Sequence, residues 1–495
     1  MSTFAHGVAS GDPDTDRVVI WTRVSEAGEQ PVELGWVVAE DAGLQSVVAS
    51  GSAVAESDAD HCVSVDVGGL EPGRHYWYAF ESGGERSPIG RTKTLPAHSE
   101  HVRFAVVSCA KFNAGFFNGY ARIAERDDLD FVLHLGDYIY EASETPPANQ
   151  TPGAGIGRPF EPRNECVTLA DYRTRYAQYR ADPDTQAMHA AHPLLATIDD
   201  HELADGGWRG GSDNHKPERD GPWADRRAAA FRARREWLPQ RLPDPAAPER
   251  VFRSVTLGGL ADLFIIDTRT RRDQPVKGPE AASPERSQLG REQREWLFAG
   301  LRDSRARWRL LGNSSIIGHT WTPKIPKELR DGLVWLKLMR TDGEGPDADQ
   351  WDGYPYERDL LLQRLAIPDT VVLSGDIHVA MALELERDGK PGEWVAPEFV
   401  TASLTSQNLD DKAGWGYRVR SPLVERELMA ALPNILWCDM DSHGYMVADL
   451  TPERLRIEWW FVGTVLERTR TERLAASAEV QAGSPLIVNQ SFPTT

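Results

Sequence analysis

Short β-rich segments separated by turn residues make up the first hundred positions of the chain. Residues 17–24, 31–40 and 61–67 are rich in β-branched and aromatic side chains, and Gly, Asp and Ser fill the intervals between them. Residues 70–78 (LEPGRHYWY) place a turn before alternating aromatic residues. This pattern predicts a small β-sandwich over residues 1–97, which ends at a polar joint after Pro96.

Strands and helices alternate over the remaining residues, 98–495. Two apolar runs at 103–107 and 131–135 flank an amphipathic stretch at 117–126, and this β-α-β order implies parallel strands in one sheet. Further strands are predicted at 194–198, 263–266, 308–311 and 370–373, helices at 225–237 and 288–301, and a hairpin at 445–450 and 455–462. Polar stretches at 144–164, 204–220 and 340–353 are predicted to be loops over the sheet. The pattern therefore predicts an α/β domain behind the sandwich.

Composition and charge narrow the class of protein. A chain of 495 residues is long enough for a main domain with an additional module. Hydrophobic residues make up 40% and charged residues 26%, which excludes collagen-like, coiled-coil and wholly disordered chains. A formal net charge of −20 would repel nucleic acid and anionic lipid, so no nucleic-acid-binding surface is expected. An anionic substrate would need local cations or bound metal.

The length of the apolar runs, the N-terminal residues and the cysteines bear on the cellular location of the protein. No apolar run is long enough to be a transmembrane segment, and residues 1–7 have neither a charged leader nor an apolar core. A cytoplasmic location is the default expectation, whereas a leader removed from the chain would make the protein secreted or periplasmic. The four cysteines form no CxxC pair, and their spacing does not determine whether any two form a disulfide. They are Cys62, Cys109, Cys166 and Cys438. The sequence also leaves the oligomeric state open.

Four predicted strands end in side chains that can bind metal ions. The endings are SC at 108–109, GDYIY at 136–140, DDHE at 199–202 and SGDIH at 374–378. One such ending alone is typical of a capped turn, but the carboxyl ends of parallel strands share one edge of a sheet, so four endings can converge. Carboxylates gathered at one edge repel one another unless a cation neutralises them. The sequence therefore predicts a metal site.

Longer strings around these endings resemble one protein family. VVSCAK, DFVLHLGDYIYE, ATIDDHE, LFIIDTRTRRDQ, QWDGYPYER, VVLSGDIHV and EFVTASLTS resemble the alkaline phosphatase D (PhoD-like) branch of the calcineurin-like metallophosphoesterases. GVASGDPDTDRVVIWTRV resembles the N-terminal sandwich module of that family. The resemblance covers nearly the whole chain, and it implies an α/β fold with a four-layer α/β/β/α domain. A small fibronectin III-like β-sandwich would precede that domain, since residues 70–78 resemble its tyrosine corner.

The resemblance also implies an activity, cofactors and a set of metal ligands. The chain is expected to hydrolyse small phosphate-ester substrates with ferric iron (Fe3+) and calcium (Ca2+), other divalent metals being alternatives, by attack of a metal-bound hydroxide. Asp137 would bridge the metals, with Cys109 as a thiolate ligand and Tyr140 as a phenolate ligand to iron. Thiolate and phenolate favour a redox-capable transition metal, whereas carboxylate oxygens suit calcium. The remaining ligands would be Asp200, Asp376 and His378.

Two further residues, together with Asp137, are the catalytic candidates. By resemblance His201 would contact the phosphate, where an imidazole can stabilise charge or protonate the leaving group. Arg269 follows a predicted strand and is either a phosphate clamp or the partner of a salt bridge to Asp267. Many members of the family have Gln directly after the cysteine, where this chain has Ala110 and Lys111, so we expect different contacts at that rim.

The sequence leaves alternatives for which tyrosine binds metal and for which reaction the site catalyses. Tyr138 and Tyr140 lie on the same side of an extended segment, so one can pack while the other binds metal, and we assign Tyr140 to the metal. A phosphodiesterase or phospholipase D-like hydrolase could use the same metal site, because the loops that would admit a second ester group are not predictable from pattern. A third alternative, from a different class, is a catalytically silent metal-binding module. The presence of the candidate ligands together with His201 argues against it, because a purely structural metal site needs no position for a reacting water.

Overall fold

The N-terminal region of the computed structural model is a sandwich of short strands, as the sequence predicts. The structure describes residues 2–25, 27–144, 156–241, 244, 246–327, 330–336, 338–340, 345–388, 390 and 392–493. The hydroxyl of Tyr76 accepts the N–H of Glu71 at 2.8 Å, which is the hydrogen bond of a tyrosine corner. The strands are β1 (Val8–Gly11), β2 (Arg17–Arg23), β3 (Val32–Ala39), β4 (Val47–Ala55), β5 (Cys62–Gly68), β6 (His75–Ser82), β7 (Glu85–Arg86) and β8 (Gly90–Lys93).

One face of this sandwich continues into the sheet of the larger region. Strands β3, β4, β6 and β7 form a separate sheet, with β8 paired to β6, whereas β1, β2 and β5 form one end of a ten-stranded sheet. The connection is a parallel pairing of β1 with strand β11, at Gly11 and Leu194. Ile20, Val38 and Tyr78 pack in the core between the two faces of the sandwich. The boundary at residue 97 between two domains stays a prediction.

The larger region supplies the rest of the ten-stranded sheet and a second, seven-stranded sheet. Its strands are β9 (Val102–Val107), β10 (Phe131–His134), β11 (Leu194–Ala196), β12 (Arg253–Leu257), β13 (Ala261–Ile265), β14 (Trp308–Gly312), β15 (Thr370–Ser374), β16 (Ala380–Glu386), β17 (Trp394–Val400), β18 (Ile435–Asp439), β19 (Gly444–Leu450), β20 (Arg454–Val462), β21 (Glu472–Gln481) and β22 (Ile487–Ser491). The first sheet has the order β22-β21-β20-β19-β9-β10-β11-β1-β2-β5, and the second the order β12-β13-β14-β15-β17-β16-β18.

Helices cover the outer faces of the two stacked sheets. Phe104 and Leu133 of the first sheet meet Leu263 and Leu373 of the second in one buried core between the sheets. Two further cores lie outside, one against each sheet. The layers are therefore α/β/β/α. The helices are α1 (Asn118–Ala124), α2 (Leu169–Ala181), α3 (Pro183–Ala191), α4 (Pro217–Asp220), α5 (Trp223–Trp237), α6 (Arg291–Asp303), α7 (Arg330–Trp335), α8 (Pro355–Leu365), α9 (Leu409–Ala413) and α10 (Ser421–Ala431).

The sequence pattern located the central strands but missed several peripheral elements. Helices α2, α3, α8 and α10 and strands β16 to β18, β21 and β22 were not predicted. Helix α2 nevertheless carries a readable signal, because Tyr172, Tyr176 and Tyr179 recur at helical spacing and are all buried. Parts of two predicted loops, residues 145–155 and 341–344, lie outside the described residues.

Two further observations concern the cysteines and the possibility of a membrane-spanning helix. All four cysteines are buried and carry free thiols, so none is bonded to another. Over the part of the chain that is described, no helix combines the length and the hydrophobicity needed to cross a bilayer.

Candidate metal centre

The four strand endings singled out in the sequence meet at one place, but they come from two sheets. Strands β9, β10 and β11 are neighbours in parallel register in the first sheet, whereas β15 belongs to the second. The carboxyl edges of the two sheets are in contact there, because the Cys109 thiol lies 3.8 Å from the carbonyl oxygen of Asp376. The convergence predicted from the sequence is therefore found, at the junction of two sheet edges.

Three groups of metal-binding side chains overlap at Asp137. In each group the potential ligand atoms all lie within 4.8 Å of one another, and Asp137 is a member of all three. The groups are Cys109 with Asp137 and His378, Asp137 with Asp200 and His201, and Asp137 with Asp199, Asp200 and Asp376. Every predicted metal ligand except Tyr140 belongs to one of these groups, and Tyr140 joins the cluster through its hydroxyl.

Four of the predicted ligands sit on left-handed backbone. The φ angles are +58° at Cys109, +56° at Asp137, +68° at Asp376 and +58° at His378. Such a conformation costs a residue other than glycine about 1–3 kcal/mol and persists only where the surrounding structure enforces it. Gly136 has a φ of +105°, and a Cβ there would lie 2.5 Å from the Cβ of Asp199. The fold thus holds these turns in strained conformations that aim the ligands at one point.

A buried carboxylate joins two of the ligand loops. Glu202 accepts the backbone N–H of Asp137 at 3.1 Å, that of Tyr138 at 2.7 Å and that of Asp199 at 2.9 Å. One side chain therefore fixes the turn after β10 relative to the turn after β11. In the sequence analysis Glu202 appeared only as the last residue of the DDHE ending, and no role of its own was assigned to it.

The two tyrosines of the GDYIY ending point to different environments. The Tyr140 hydroxyl lies 2.6 Å from the Asp137 carboxylate and 3.3 Å from His378 Nε2, and it accepts a hydrogen bond from Ser406 Oγ at 2.6 Å. The Tyr138 hydroxyl instead bonds to His189 Nε2 at 2.8 Å in the buried core. This is the division expected from the sequence, with Tyr138 packed and Tyr140 beside the ligands.

His201 stands at the partly exposed side of the cluster. Its ring centroid is 4.1 Å from that of Tyr140, and its side chain is 17% exposed. Glu141 holds the ring, with Oε2 at 2.7 Å from Nδ1, and its other oxygen accepts the N–H of Asp205 at 2.7 Å. The ring is thereby fixed through Nδ1, so Nε2 is the nitrogen left for a substrate.

Arg269 lies beneath the cluster as the centre of a buried ion-pair network. Nε donates to Asp199, Nη1 donates to Asp349 at 2.6 Å and Nη2 donates to Asp376 at 2.8 Å. The guanidinium does not pair with Asp267, whose carboxylate accepts the backbone N–H of Arg269 at 3.0 Å. The salt bridge considered from the sequence thus has other partners. The role of Arg269 as a phosphate clamp stays a prediction.

Several residues around the cluster were not assigned individual roles in the sequence analysis. Each lies inside one of the sequence strings that resemble the family. Its position next to a candidate ligand, rather than its residue type, could have indicated a role at the site. These residues are Glu141 in GDYIYE, Asp199 and Glu202 in DDHE, Gln350 in QWDG and Ser406 in TASLTS. Gln350 donates a hydrogen bond to Asp376 through Nε2.

The cluster carries an excess of buried negative charge. Burial raises the pKa of Asp137, and the carboxylates of Asp200 and Glu202 raise it further, although His201 opposes them. Burial also raises the pKa of the Cys109 thiol, and the Asp137 and Asp376 carboxylates add to this effect. In both cases the negatively charged form is disfavoured in the protein alone. A cation at the centre of the cluster would remove that penalty.

The histidines and the phenol respond to the same surroundings. Burial lowers the pKa of His201, but the carboxylates of Glu141, Asp200 and Asp137 outweigh it, so the net direction is upward. Burial lowers the pKa of His378, which keeps its imidazole neutral and able to bind metal. Burial and the nearby Asp137 carboxylate raise the pKa of Tyr140.

The available ligands fit two kinds of metal ion. Cys109, Tyr140 and His378 offer sulfur, phenol oxygen and imidazole nitrogen, a set that suits a transition metal. Asp199, Asp200 and Asp376 offer carboxylate oxygens alone, a set that suits a hard cation such as calcium. Asp137 belongs to both sets and is placed to bridge them. The residues present therefore fit a two-metal centre.

Comparison with known proteins gives a consistent answer over the whole chain. Residues 104–459 match the family model described as PhoD-like phosphatase, and residues 1–96 match the model of the N-terminal domain of PhoD-like phosphatases. The chain is 33% identical over 493 residues to alkaline phosphatase D of Bacillus subtilis (strain 168), covering 94% of this chain and 78% of the relative. A solved structure of PhoD superimposes with a TM-score of 0.86 at 31% identity, covering 99% of this chain and 93% of the other.

Proposed function

The chain belongs to the PhoD-like phosphatase family and is a phosphoric-ester hydrolase, and from this premise we propose that its Asp137-centred cluster binds ferric iron and calcium. The observation that carries the proposal is the membership of Asp137 in all three ligand groups. One group contains the thiol and an imidazole, whereas another contains carboxylates only. Iron would be held by Cys109, Tyr140 and His378, and calcium by the carboxylates.

The side chains around this centre divide the work of ester hydrolysis. Metal ions bound there would polarise the phosphoryl oxygens and lower the pKa of a water nucleophile. Glu141 fixes His201 through Nδ1, so Nε2 can hold or deliver a proton at the oxygen of the leaving group. Glu202 and Arg269 keep the ligand loops in place. The proposal needs no covalent intermediate on the protein.

The first experiment measures hydrolysis together with metal content. The purified protein is assayed with p-nitrophenyl phosphate before and after treatment with a chelator, and its metals are counted by elemental analysis. We expect iron and calcium in the active protein, visible absorption from phenolate and thiolate bound to iron, and loss of turnover on chelation. Undiminished turnover in metal-stripped protein would contradict the proposal. Active protein that is colourless and free of iron would overturn the iron assignment.

A matched pair of variants separates an enzyme from a silent metal-binding module. Asp137→Asn removes the charge shared by the ligand groups, and we expect kcat/KM to fall by more than about 100-fold. Asp303→Asn makes the same change at the end of α6, where the side chain is 65% exposed, and should leave turnover unchanged. Equal activity of the two variants would remove Asp137 from the reaction.

A further inference from the structure

Lys111 places a cationic side chain at the rim of the metal centre. It lies two residues after Cys109, and its Nζ stands 5.6 Å from the centroid of the Tyr140 ring. The backbone of Lys111 is anchored, because its carbonyl oxygen accepts a hydrogen bond from Thr405 Oγ1 at 2.8 Å. The backbone of Lys111 is therefore held by the same segment, residues 404–406, that contacts Cys109 and Tyr140.

The Lys111 ammonium is surrounded by charges but bound to none of them. Among the described residues no carboxylate forms an ion pair with Nζ, and no acceptor receives a hydrogen bond from it. Burial lowers the pKa of Lys111, and the carboxylates of Asp205, Glu141 and Asp137 oppose that shift, so the side chain lies within electrostatic reach of the cluster. Arg269 differs in this respect, because all three of its nitrogens donate to carboxylates. Within the described part of the chain, the Nζ donors of Lys111 thus have no acceptor, and the side chain is half-buried beside Tyr140.

We propose that Lys111 binds a non-bridging oxygen of the substrate phosphoryl group and thereby makes the enzyme prefer phosphate monoesters to diesters. This inference rests on the proposed function, since it needs the phosphoryl group at the Asp137-centred cluster. A monoester dianion carries one more negative charge than a diester monoanion. A nearby ammonium therefore gains about twice as much Coulomb energy from the monoester. The alkyl group of a diester also replaces an oxygen that could accept a hydrogen bond from Nζ.

The test compares two substrates that differ by one methyl group. Wild type and Lys111→Gln are assayed at pH 8 with p-nitrophenyl phosphate and with methyl p-nitrophenyl phosphate, which share a leaving group. We expect the ratio of kcat/KM for the monoester to kcat/KM for the diester to fall about tenfold in Lys111→Gln. Lys390→Gln is the control, since Lys390 is exposed in the turn between β16 and β17, at the opposite edge of the sheet. It should leave the ratio unchanged.

A second readout does not depend on turnover. Binding of inorganic phosphate to the metal-loaded protein, measured by calorimetry, should weaken about tenfold in Lys111→Gln and stay unchanged in Lys390→Gln. If Lys111 only supports the Tyr140 ring by a cation–π contact, phosphate affinity and the substrate ratio both stay at their wild-type values, which overturns the inference. Absence of activity on either ester in wild type would overturn the proposed function, and the phosphate titration would then decide the role of Lys111 by itself.

Discussion

The hydroxyl of Tyr140 donates a hydrogen bond to the carboxylate of Asp137 at 2.6 Å, across the point where the ligand groups overlap. Tyr140→Phe removes this oxygen and keeps the ring. If Tyr140 is a phenolate ligand to iron, as proposed, we expect iron affinity to fall about 10- to 100-fold and the visible spectrum to lose its phenolate contribution while that of the Cys109 thiolate remains. Elemental analysis and an absorption spectrum measure both effects.

Tyr138→Phe is the matched control for that variant. The Tyr138 hydroxyl bonds to His189 in the core, so its loss should cost about 1 kcal/mol of stability and leave the spectrum unchanged. An unchanged spectrum in Tyr140→Phe, or a lost one in Tyr138→Phe, would reverse the assignment of the two tyrosines.

Glu202 is expected to affect metal affinity although it is not one of the proposed ligands, because it holds the loops that carry them. In Glu202→Gln an amide N–H2 would face backbone N–H groups of Asp137, Tyr138 or Asp199, and the ligand loops would separate. We expect metal affinity to fall about 10- to 100-fold, as seen when groups that orient metal ligands are removed. Dialysis against a competing chelator gives the measurement. Glu295→Gln, exposed on α6, provides the control, and equal metal loss in both variants would dismiss the role of Glu202.

Arg269 can be assigned by comparing stability with phosphate affinity. In metal-free protein, Arg269→Gln leaves the buried carboxylates of Asp199 and Asp376 without their guanidinium, whereas Asp349 keeps its pair with Arg272, so we expect a loss of about 3–5 kcal/mol in the free energy of unfolding. Arg302→Gln, in an exposed pair with Asp303, should leave the denaturation midpoint unchanged. Urea denaturation measures both. Normal stability combined with lost phosphate binding would instead identify Arg269 as a phosphate clamp.

The pKa of Glu425, which lies away from the metal centre, predicts how the free energy of unfolding depends on pH. Burial, reinforced by Asp439, raises the pKa of Glu425 from its ordinary value of 4.5 to about 7, although Arg418 opposes the shift. The folded state therefore binds more protons than the unfolded state between these values, and stability falls as the pH rises from about 4.5 to about 7. Above pH 7 the accumulated effect is constant and of the order of 3 kcal/mol.

Glu425→Gln should remove this component of the pH dependence. The gain in unfolding free energy relative to wild type should be small at pH 4 and largest at pH 8, as measured by urea denaturation at both values. Glu427→Gln changes the same charge on a more exposed part of helix α10 and serves as the control. A gain that is equal at the two pH values would show that the charge of Glu425 is not the cause.

The ligands could be found from the sequence because each follows a buried strand directly. Cys109, Asp137 and Asp376 lie within two or three residues of an apolar run, so the local pattern locates the strand endings, and the family resemblance then assigns the candidate ligands within them. The contacts that hold them are different in kind. Arg269 reaches Asp349, which lies 80 residues further along in a loop, and Ser406 reaches Tyr140 across 266 residues. No local pattern encodes these contacts, because they join loops that only the tertiary fold brings together.

The pairing of the N-terminal strands with the large sheet was likewise beyond the sequence pattern. Segments 17–24 and 61–67 read as strands of a separate sandwich, because periodicity tells which residues form a strand and not which partner it takes. The structure places them at the end of the ten-stranded sheet through β1. A connection of this sort depends on long-range register, which alternation of apolar and polar residues does not specify.

The parallel contact of β1 with β11 covers what would otherwise be an open edge of the large sheet. The N–H of Asp12 donates to the carbonyl of Leu194 at 3.0 Å, so backbone groups of β11 are already occupied by the N-terminal segment. Loss of that segment would expose an unpaired strand edge that other chains could extend. The first hundred residues thus supply the neighbour of β11 in the sheet that carries three of the four ligand-bearing turns, so a shortened chain would need another cover for that edge.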